Sequence, residues 1–225
     1  MKNKNVIVFD IDGTLTDSVS VHQFAFGSAL QNFKFPALRT DWSSYRHHSD
    51  SAILTEAWEE ANLEGKADML RLEREYARFY DEAVRKTPFS EIRGARRFID
   101  YMRKQGWIVV FATGSLRYGA LHKLSVIGLD GESEILVTAS EFETREEIVG
   151  RAVELGSAAN GGQKPHHVIS IGDGVWDLTT ARNLGYEFFG IDSGKKKLLE
   201  NFGVVMYRDF DDLYENERSS FEILK

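Results

Sequence analysis

Short apolar runs recur along the chain and predict the strands of a β-sheet. Four strong runs lie at 6–9, 107–112, 168–171 and 188–191, and two weaker runs lie at 135–137 and 204–207. Between the runs, apolar residues repeat with helical spacing at 95–104, 118–126, 145–155, 177–184 and 196–201. Strands that alternate with helices predict an α/β fold, a doubly wound parallel sheet with helices on its faces.

The segment 18–89 interrupts this alternation. It has no convincing strand pattern and contains three long helical patterns, at 21–33, 51–62 and 67–85. We therefore expect a catalytic core of 1–17 and 90–225, with a helical cap of 18–89 inserted after the first strand. An insertion that begins beside the end of that strand is well placed to act as a lid. Outside the insertion, the Gly- and Ser-rich stretch 157–163 predicts a mobile loop.

Two carboxylates follow the first apolar run, in the sequence Asp10-Ile11-Asp12-Gly13. The carboxyl ends of parallel strands open into the ligand crevice of an α/β sheet, so both side chains are expected to face a substrate. A calcium loop with Gly13 at its sixth position needs an acidic or amide residue first and Glu twelfth. Val8 and Val19 occupy those positions, which disfavours calcium.

A second acidic group, Asp173 and Asp177, follows the apolar run 168–171. Two strands of one sheet that end in this way can gather three or four acids around one crevice. Like charges at ~4 Å repel by about 4 kcal/mol at an effective dielectric constant of 20, so the group needs a cation. Hard oxygen ligands, few of them from protein, suit Mg²⁺.

Thr113-Gly114-Ser115 follows the run 107–112. A hydroxyl followed by a glycine N–H at a strand-to-helix turn is a plausible phosphate cradle. The same triplet is also common in ordinary turns, so its assignment as a phosphate site depends on the acids predicted beside it.

Composition narrows the function classes. The 225 residues are 42% hydrophobic and carry a formal net charge of −7, with no cysteine. An acidic chain disfavours nucleic-acid binding, which relies on clustered lysine and arginine, and the lack of cysteine excludes thiolate chemistry and disulfides. The apolar run after Lys2 and Lys4 is too short for a signal sequence or a membrane span. We therefore expect a cytoplasmic protein that acts on a small molecule.

Together, these motifs resemble the haloacid dehalogenase superfamily, whose core is Rossmann-like. Asp10 to Thr14 is similar to its first motif, Thr113 to its second, and Gly172 to Asp177 to its fourth. The helical insertion resembles the C1-type cap of the phosphoglycolate phosphatase and β-phosphoglucomutase subgroup. The resemblance implies a Mg²⁺-dependent phosphatase that hydrolyses a small phosphate monoester through an aspartyl-phosphate.

The resemblance also implies a role for each motif residue. Asp10 is the expected nucleophile, and Asp12 the group that protonates the leaving oxygen and then deprotonates water. Mg²⁺ is expected on the Asp10 carboxylate, the Asp12 backbone carbonyl and Asp173, with Asp177 in support. Thr113 and Gly114, assisted by Ser115, are expected to hold the phosphoryl group.

The third motif departs from the family pattern. A lysine is usual near the start of the helix that precedes the fourth-motif strand, but Arg145 stands there. Thr144 and Glu147 have capping-box spacing around it. Lys164, in the loop before the run 168–171, is the competing candidate, and we favour Arg145, whose planar fork matches phosphate oxygens.

Four cap residues are candidates for substrate specificity. Arg46, His47 and His48 concentrate basic and hydrogen-bonding groups, and this stretch resembles the specificity loop of C1 caps. His22 is placed like a hinge histidine of β-phosphoglucomutase relatives, although packing against Phe24 and Phe26 explains it equally well.

Other functions remain as alternatives. A phosphomutase shares the same core residues and differs in its cap and in the fate of the aspartyl-phosphate. Dehalogenation is disfavoured because it needs no acid at the position of Asp12. A phospho-Asp receiver domain is disfavoured by the long insertion after Thr14, and a catalytically silent binding protein by the intact acidic set.

Overall fold

A computed structural model describes residues 5–192, 199 and 201–223. A sheet of six parallel strands forms its centre, in the order β3-β2-β1-β4-β5-β6. The strands are β1 (Val6–Phe9), β2 (Ile108–Thr113), β3 (Leu136–Thr138), β4 (Val168–Gly172), β5 (Glu187–Ile191) and β6 (Met206–Tyr207). All six lie where the apolar runs predicted strands, and the doubly wound α/β prediction is confirmed.

Helices cover both faces of the sheet. They are α4 (Ala95–Lys104), α5 (Arg117–Val126), α6 (Arg145–Ala159), α7 (Val175–Leu184) and α8 (Phe210–Ile223). Strand β1 is buried on both faces because it lies between β2 and β4, and alternate residues point to opposite sides. Ile7 and Phe9 face the core beneath α4 and α8, whereas Val6 and Val8 face α6.

Three further helices form the insertion between β1 and α4. They are α1 (Val19–Gln31), α2 (Asp50–Glu60) and α3 (Met69–Lys86), with a short 3-10 turn at Trp42–Ser44. The insertion has a hydrophobic core of its own, which Tyr76 and Tyr80 of α3 close against α1 and the start of α5. The two connections to the sheet run side by side, with Asp17 N–H donating to Ser90 O at 3.0 Å. The domain limits 18 and 89 remain our proposal.

Three local predictions need correction or fall outside the structure. Helix α6 continues through Ala159, so the first residues of the predicted mobile loop 157–163 are helical. Helix α8 was not predicted from the sequence. The predicted helix 196–201 lies largely outside the described residues. Within the part of the chain that is described, none of the helices has the length and apolar character to cross a bilayer.

Candidate active site

Asp10 and Asp173 follow adjacent strands, β1 and β4, at the carboxyl edge of the sheet. Asp10 N–H donates to Ile171 O at 2.9 Å, which extends the strand pairing by one residue and fixes the start of the loop. Gly13 then turns the chain with φ +83°, and a β-carbon there would lie 2.1 Å from Asp173 Oδ2. Glycine is therefore required both for the turn and for the approach of Asp173.

Asp177 joins these two residues, and we call Asp10, Asp173 and Asp177 the acid cluster. One carboxylate oxygen from each lies within 4.8 Å of the others. Asp177 is held at the start of α7 because its Oδ2 accepts the Gly174 N–H at 3.0 Å. Three hard oxygen ligands at this separation fit a divalent cation that completes its shell with water or phosphate oxygens.

Arg145 is the basic residue of the described chain that contacts the acid cluster. Its Nη1 lies 3.1 Å from Asp10 Oδ1 and 3.3 Å from Asp177 Oδ1. The predicted capping box of Thr144 and Glu147 is present and starts α6 at Arg145. Burial opposes the charge, but Asp177 and Asp10 outweigh it and raise the pKa of Arg145. Arg145 is therefore a permanent cation in the site.

Lys164, the competing candidate, is exposed in the loop before β4. Strand β4 runs from that loop towards Asp173, so Lys164 lies at the opposite edge of the sheet from the acid cluster. This placement corrects the expectation that Lys164 could serve as the third-motif cation or support phosphate. Both Arg145 and Lys164 precede β4 in the sequence, so the sequence left both as candidates for the cation. The direction of β4 separates them, because it places Lys164 at the far end of the strand from the acid cluster.

The environment of Asp10 is electrostatically unbalanced. Burial and the neighbouring Asp177 raise the pKa of Asp10 well above its ordinary value, Arg145 lowers it, and Asp173 and Asp12 raise it further. For Asp10 to act as a nucleophile its carboxylate would have to be ionised, and further positive charge beside it would favour that form. A divalent cation on the acid cluster would provide it.

Asp12 has separate partners from those of Asp10. Its Oδ1 accepts the Ser18 hydroxyl at 2.6 Å, and its Oδ2 accepts the Lys123 ammonium at 2.6 Å and the Ser115 hydroxyl. Burial alone would raise the pKa of Asp12, but the charges of Lys123 and His22 and the hydrogen bonds from Lys123 and Ser115 hold it well below its usual range. Its side chain is fully engaged, which leaves the predicted backbone carbonyl as its contribution to a metal site.

Lys123 is the site residue that the sequence analysis missed. It lies fully buried on α5, 3.2 Å from Ser115 Oγ and 5.6 Å from the ring centre of Tyr80. A signal existed in the sequence, because Leu116, just before α5, and Ala120 and Leu124 within it form one apolar stripe, and Lys123 falls on the same stripe. A lysine at such a position has to find a buried partner.

The Thr113 loop lies between the acid cluster and the insertion. Thr113 Oγ1 accepts the Ser115 N–H at 3.2 Å, and its hydroxyl pairs with that of Ser115 at 2.9 Å. The Ser115 hydroxyl is directed to Asp12, which corrects the expectation that it supports phosphate. A β-carbon on Gly114 would lie 2.6 Å from His48 O and 2.8 Å from Arg145 Nε. Glycine is required there because core and insertion meet at this point.

Several hydrogen bonds hold α2 against the core, and we call this contact the seam. Asp50 N–H donates to Gly114 O at 2.8 Å, while the Asp50 carboxylate accepts the Leu116 N–H at 2.9 Å. Ser49 donates to Glu143 O, and Ser51 donates to Phe142 O at 2.9 Å. Arg145 Nε also donates to His48 O at 2.9 Å, so the same guanidinium touches Asp10 and the insertion.

A cavity of about 430 Å³ lies between the acid cluster and the insertion. The core lines it with Asp10, Asp12, Thr113, Gly114, Ser115, Arg145 and Trp176. This volume lies within the range of sites for small molecules. The cavity therefore joins the three sequence motifs to a wall made of the insertion.

The predicted specificity residues divide into two pairs. His48 lines the cavity and packs on Trp176 at 5.1 Å between ring centres, and His22 lines it beside Asp50 at 3.2 Å. Arg46 is exposed and His47 lies outside the lining. The expectation that Arg46 and His47 reach the substrate therefore needs correction, because the chain turns at Tyr45, which is buried in the insertion, and carries them outwards.

A family model for the haloacid dehalogenase-like hydrolases matches residues 4–185. The chain belongs to the haloacid dehalogenase-like hydrolases. This membership sets aside the receiver-domain alternative, and it makes the chain an enzyme of the hydrolase class. No curated protein matches the sequence.

Three solved structures illustrate the shared fold. A hydrolase from Pseudomonas syringae is 23% identical with a TM-score of 0.73, covering 97% of this chain and 99% of its own. A proposed β-phosphoglucomutase from Bacteroides vulgatus is 17% identical (TM-score 0.68; coverage 99% and 90%). A predicted phosphoglycolate phosphatase from Haemophilus somnus is 18% identical (TM-score 0.58; coverage 96% and 99%). At these identities the likeness establishes the shared fold.

Proposed function

We propose that this protein is a Mg²⁺-dependent phosphatase that hydrolyses a small phosphate monoester through an aspartyl-phosphate on Asp10. The observation that carries the proposal is the position of Asp10. Its carboxylate forms an ion pair with Arg145 and lies beside Asp173 and Asp177. Asp10 also lines the cavity, together with Thr113 and Gly114.

In the proposed reaction, an Asp10 oxygen attacks phosphorus and the bond from phosphorus to the alcohol oxygen breaks. Thr113 Oγ1 and the Gly114 N–H bind the oxygens of the transferring group, and Arg145 balances part of their charge. Asp12 gives a proton to the departing alcohol oxygen, then accepts one from the water that attacks the aspartyl-phosphate. The products are the alcohol and inorganic phosphate.

The present partners of Asp12 hold its pKa well below its usual range, so Asp12 has to take up a proton when substrate binds before it can give one to the alcohol oxygen. For that, an oxygen of Asp12 has to leave one of its present donors. Ser18, which donates to Asp12 Oδ1, is the first residue of the insertion. A movement of the insertion would therefore alter the partners of Asp12 as well as the access of water. This connection gives the insertion a role in timing the two steps, as lids have in other enzymes.

Mg²⁺ is the proposed cation because the acid cluster offers hard oxygen ligands and the haloacid dehalogenase family generally uses this ion. When bound, it would neutralise the approach of a phosphate dianion to the Asp10 carboxylate. Asp10 and Asp173 would hold it, with the Asp12 carbonyl, and Asp177 would keep the arrangement in place.

The test is phosphate release from a panel of phosphorylated metabolites with Mg²⁺ and with EDTA. Asp10→Asn should lower kcat by about 10³-fold or more, as expected when a covalent nucleophile is lost. Asp130→Asn, an exposed substitution of the same type, should match the wild type. Acid-quenched wild-type enzyme should carry phosphate on the Asp10 peptide. Near-normal turnover by Asp10→Asn would show that the mechanism is wrong.

A further inference from the structure

The wall that the insertion gives to the cavity is made of apolar, neutral polar, histidine and acidic residues. Four of its side chains are apolar or aromatic and two are carboxylates: Val19, Phe26, Trp42, Ile53, Asp41 and Asp50. The phosphoryl group must bind on the opposite side, at Asp10 and Thr113. This wall therefore faces the alcohol portion of the substrate.

The structure describes every residue of the insertion, and no lysine or arginine of the insertion lines this cavity. Arg39 is next to the lining residue Thr40, but its guanidinium binds Glu56 at 2.5 Å and Glu60 at 2.8 Å. It also lies 3.9 Å from the ring centre of Tyr45. These contacts keep the charge of Arg39 occupied outside the cavity.

The two histidines of the wall do not replace a cation. Burial, the Arg145 guanidinium and His47 lower the pKa of His48, so its imidazole is neutral near pH 7. His22 Nε2 lies 3.2 Å from Asp50 Oδ1, and its other ring nitrogen lies 3.1 Å from the Tyr76 hydroxyl, so both ring nitrogens already have partners within the protein. An anionic group on the alcohol portion would therefore meet neutral side chains and two carboxylates on this wall, with no lysine or arginine of the described residues lining it.

On the core side, Arg145 is the lining cation among the residues that the structure describes. Its Nη1 already bonds Asp10 and lies close to Asp177, at the place where the transferring phosphoryl group would bind. A second phosphate or a carboxylate needs charge-assisted donors of its own when it leaves water. Arg145 cannot serve both positions.

We propose that the substrate carries a single phosphate on an alcohol that is uncharged or cationic, with an apolar surface that packs on Phe26 and Trp42. This inference rests on the proposed phosphatase function and selects among its substrates. Anionic alcohols such as glycolate are poor leaving portions here, and sugar bisphosphates are poor ligands. A phosphomutase has to hold two phosphates in turn, so the same wall argues against that alternative.

The first experiment compares kcat/KM for three small monoesters of similar size and for one larger bisphosphate, with Mg²⁺ present. O-Phosphoethanolamine and 2-hydroxyethyl phosphate represent cationic and uncharged alcohols, 2-phosphoglycolate an anionic one, and glucose 1,6-bisphosphate a second phosphate. We expect at least one of the first two to exceed both of the last two by about tenfold or more. A preference for 2-phosphoglycolate or the bisphosphate would overturn the inference.

p-Nitrophenyl phosphate, whose leaving group needs little recognition, separates this inference from the proposed function. If it is not hydrolysed with Mg²⁺, the phosphatase proposal fails and the inference falls with it. If it is hydrolysed while an anionic substrate is preferred, the inference alone fails.

The second experiment adds the cation that the wall lacks. Gln23 of α1 lines the cavity, whereas Gln31 of the same helix is exposed outside it. Gln23→Lys should raise kcat/KM for 2-phosphoglycolate relative to 2-hydroxyethyl phosphate by roughly tenfold. Gln31→Lys, with the same change of charge, should leave that ratio unchanged. Equal ratios in the wild type and both variants would show that wall charge does not select the substrate.

Discussion

At the scale of single residues, the buried Lys123 is the main addition that the structure makes to the site predicted from the sequence. A buried ammonium needs a partner, and Asp12 provides one at 2.6 Å. Asp12 in turn has no other cationic side chain in hydrogen-bond contact among the described residues. Each member of this pair therefore offsets the cost of burying the charge of the other.

Lys123→Met should destabilise the protein and reduce activity. The substitution leaves Asp12 buried without its ammonium, a change that typically costs about 3–5 kcal/mol of unfolding free energy. Chemical denaturation followed by circular dichroism measures the loss. Lys104→Met, at an exposed position on α4, is the matched control and should stay within about 0.5 kcal/mol of the wild type.

A structural role and a positioning role of Lys123 differ in their kinetics. If Lys123 positions Asp12, Lys123→Met should slow alkyl phosphates more than p-nitrophenyl phosphate, whose leaving group needs no proton. Equal losses on both substrates would mean that Lys123 acts on stability alone.

Arg145 and Lys164 give the second residue-scale prediction. Arg145→Ala should lower kcat/KM by about 10²–10³-fold, the usual cost of losing a group that stabilises transferred charge. Lys164→Ala should leave kcat/KM near the wild-type value because the side chain is exposed at the other edge of the sheet. Steady-state kinetics on one substrate decides the ranking, and the reverse order would return the cation role to Lys164.

At the scale of elements, the seam places the insertion against the site. Asp50, the first residue of α2, is buried and accepts the Leu116 N–H at the start of α5. It also lies beside His22, whose other ring nitrogen is 3.1 Å from the Tyr76 hydroxyl. One carboxylate thus joins α1, α2 and α5, with α3 behind them.

Asp50→Ala should loosen the seam. The Leu116 N–H and His22 lose their acceptor, and an unsatisfied buried donor costs about 1–3 kcal/mol. We expect faster hydrogen exchange in α2 and a higher KM, with a smaller change in kcat on p-nitrophenyl phosphate. Asp50→Asn keeps an oxygen for Leu116 and should fall between Asp50→Ala and the wild type. Unchanged exchange in α2 would show that Asp50 does not hold the seam.

Helix α8 shows where element prediction failed. Phe210, Leu213 and Phe221 of this helix are buried, but Glu217 interrupts the apolar spacing between them. The structure explains the interruption, since the Tyr207 hydroxyl donates to Glu217 Oε1 at 2.6 Å. A polar residue on a buried stripe is hidden from a periodicity argument until its partner is known.

At the scale of the whole molecule, the site is assembled from segments that are distant in sequence. The edge of the sheet contributes the loops after β1, β2 and β4, α6 contributes Arg145, and the insertion closes the cavity. In the proposed function, the chemistry takes place at the loops that follow the strands, with Arg145 of α6, while the inserted helices select the substrate. That division allows the wall to change charge without disturbing the acid cluster.

The sequence by itself determined the strands and the acids that follow them. Strand runs such as Val6–Phe9 are local signals, and parallel strands bring their carboxyl ends to one edge whatever the details of packing. The same logic placed Asp10, Asp173 and Thr113 at one crevice before their distances were known. The capping box at Thr144 was equally local.

Only the tertiary structure decided the partners across elements. It paired Asp12 with Lys123, chose Arg145 over Lys164 by strand direction, and turned His48 inwards but Arg46 outwards. Such outcomes depend on which faces of separate helices and loops meet. A local pattern holds no information about that, because the partner residue lies tens of positions away and is selected by packing.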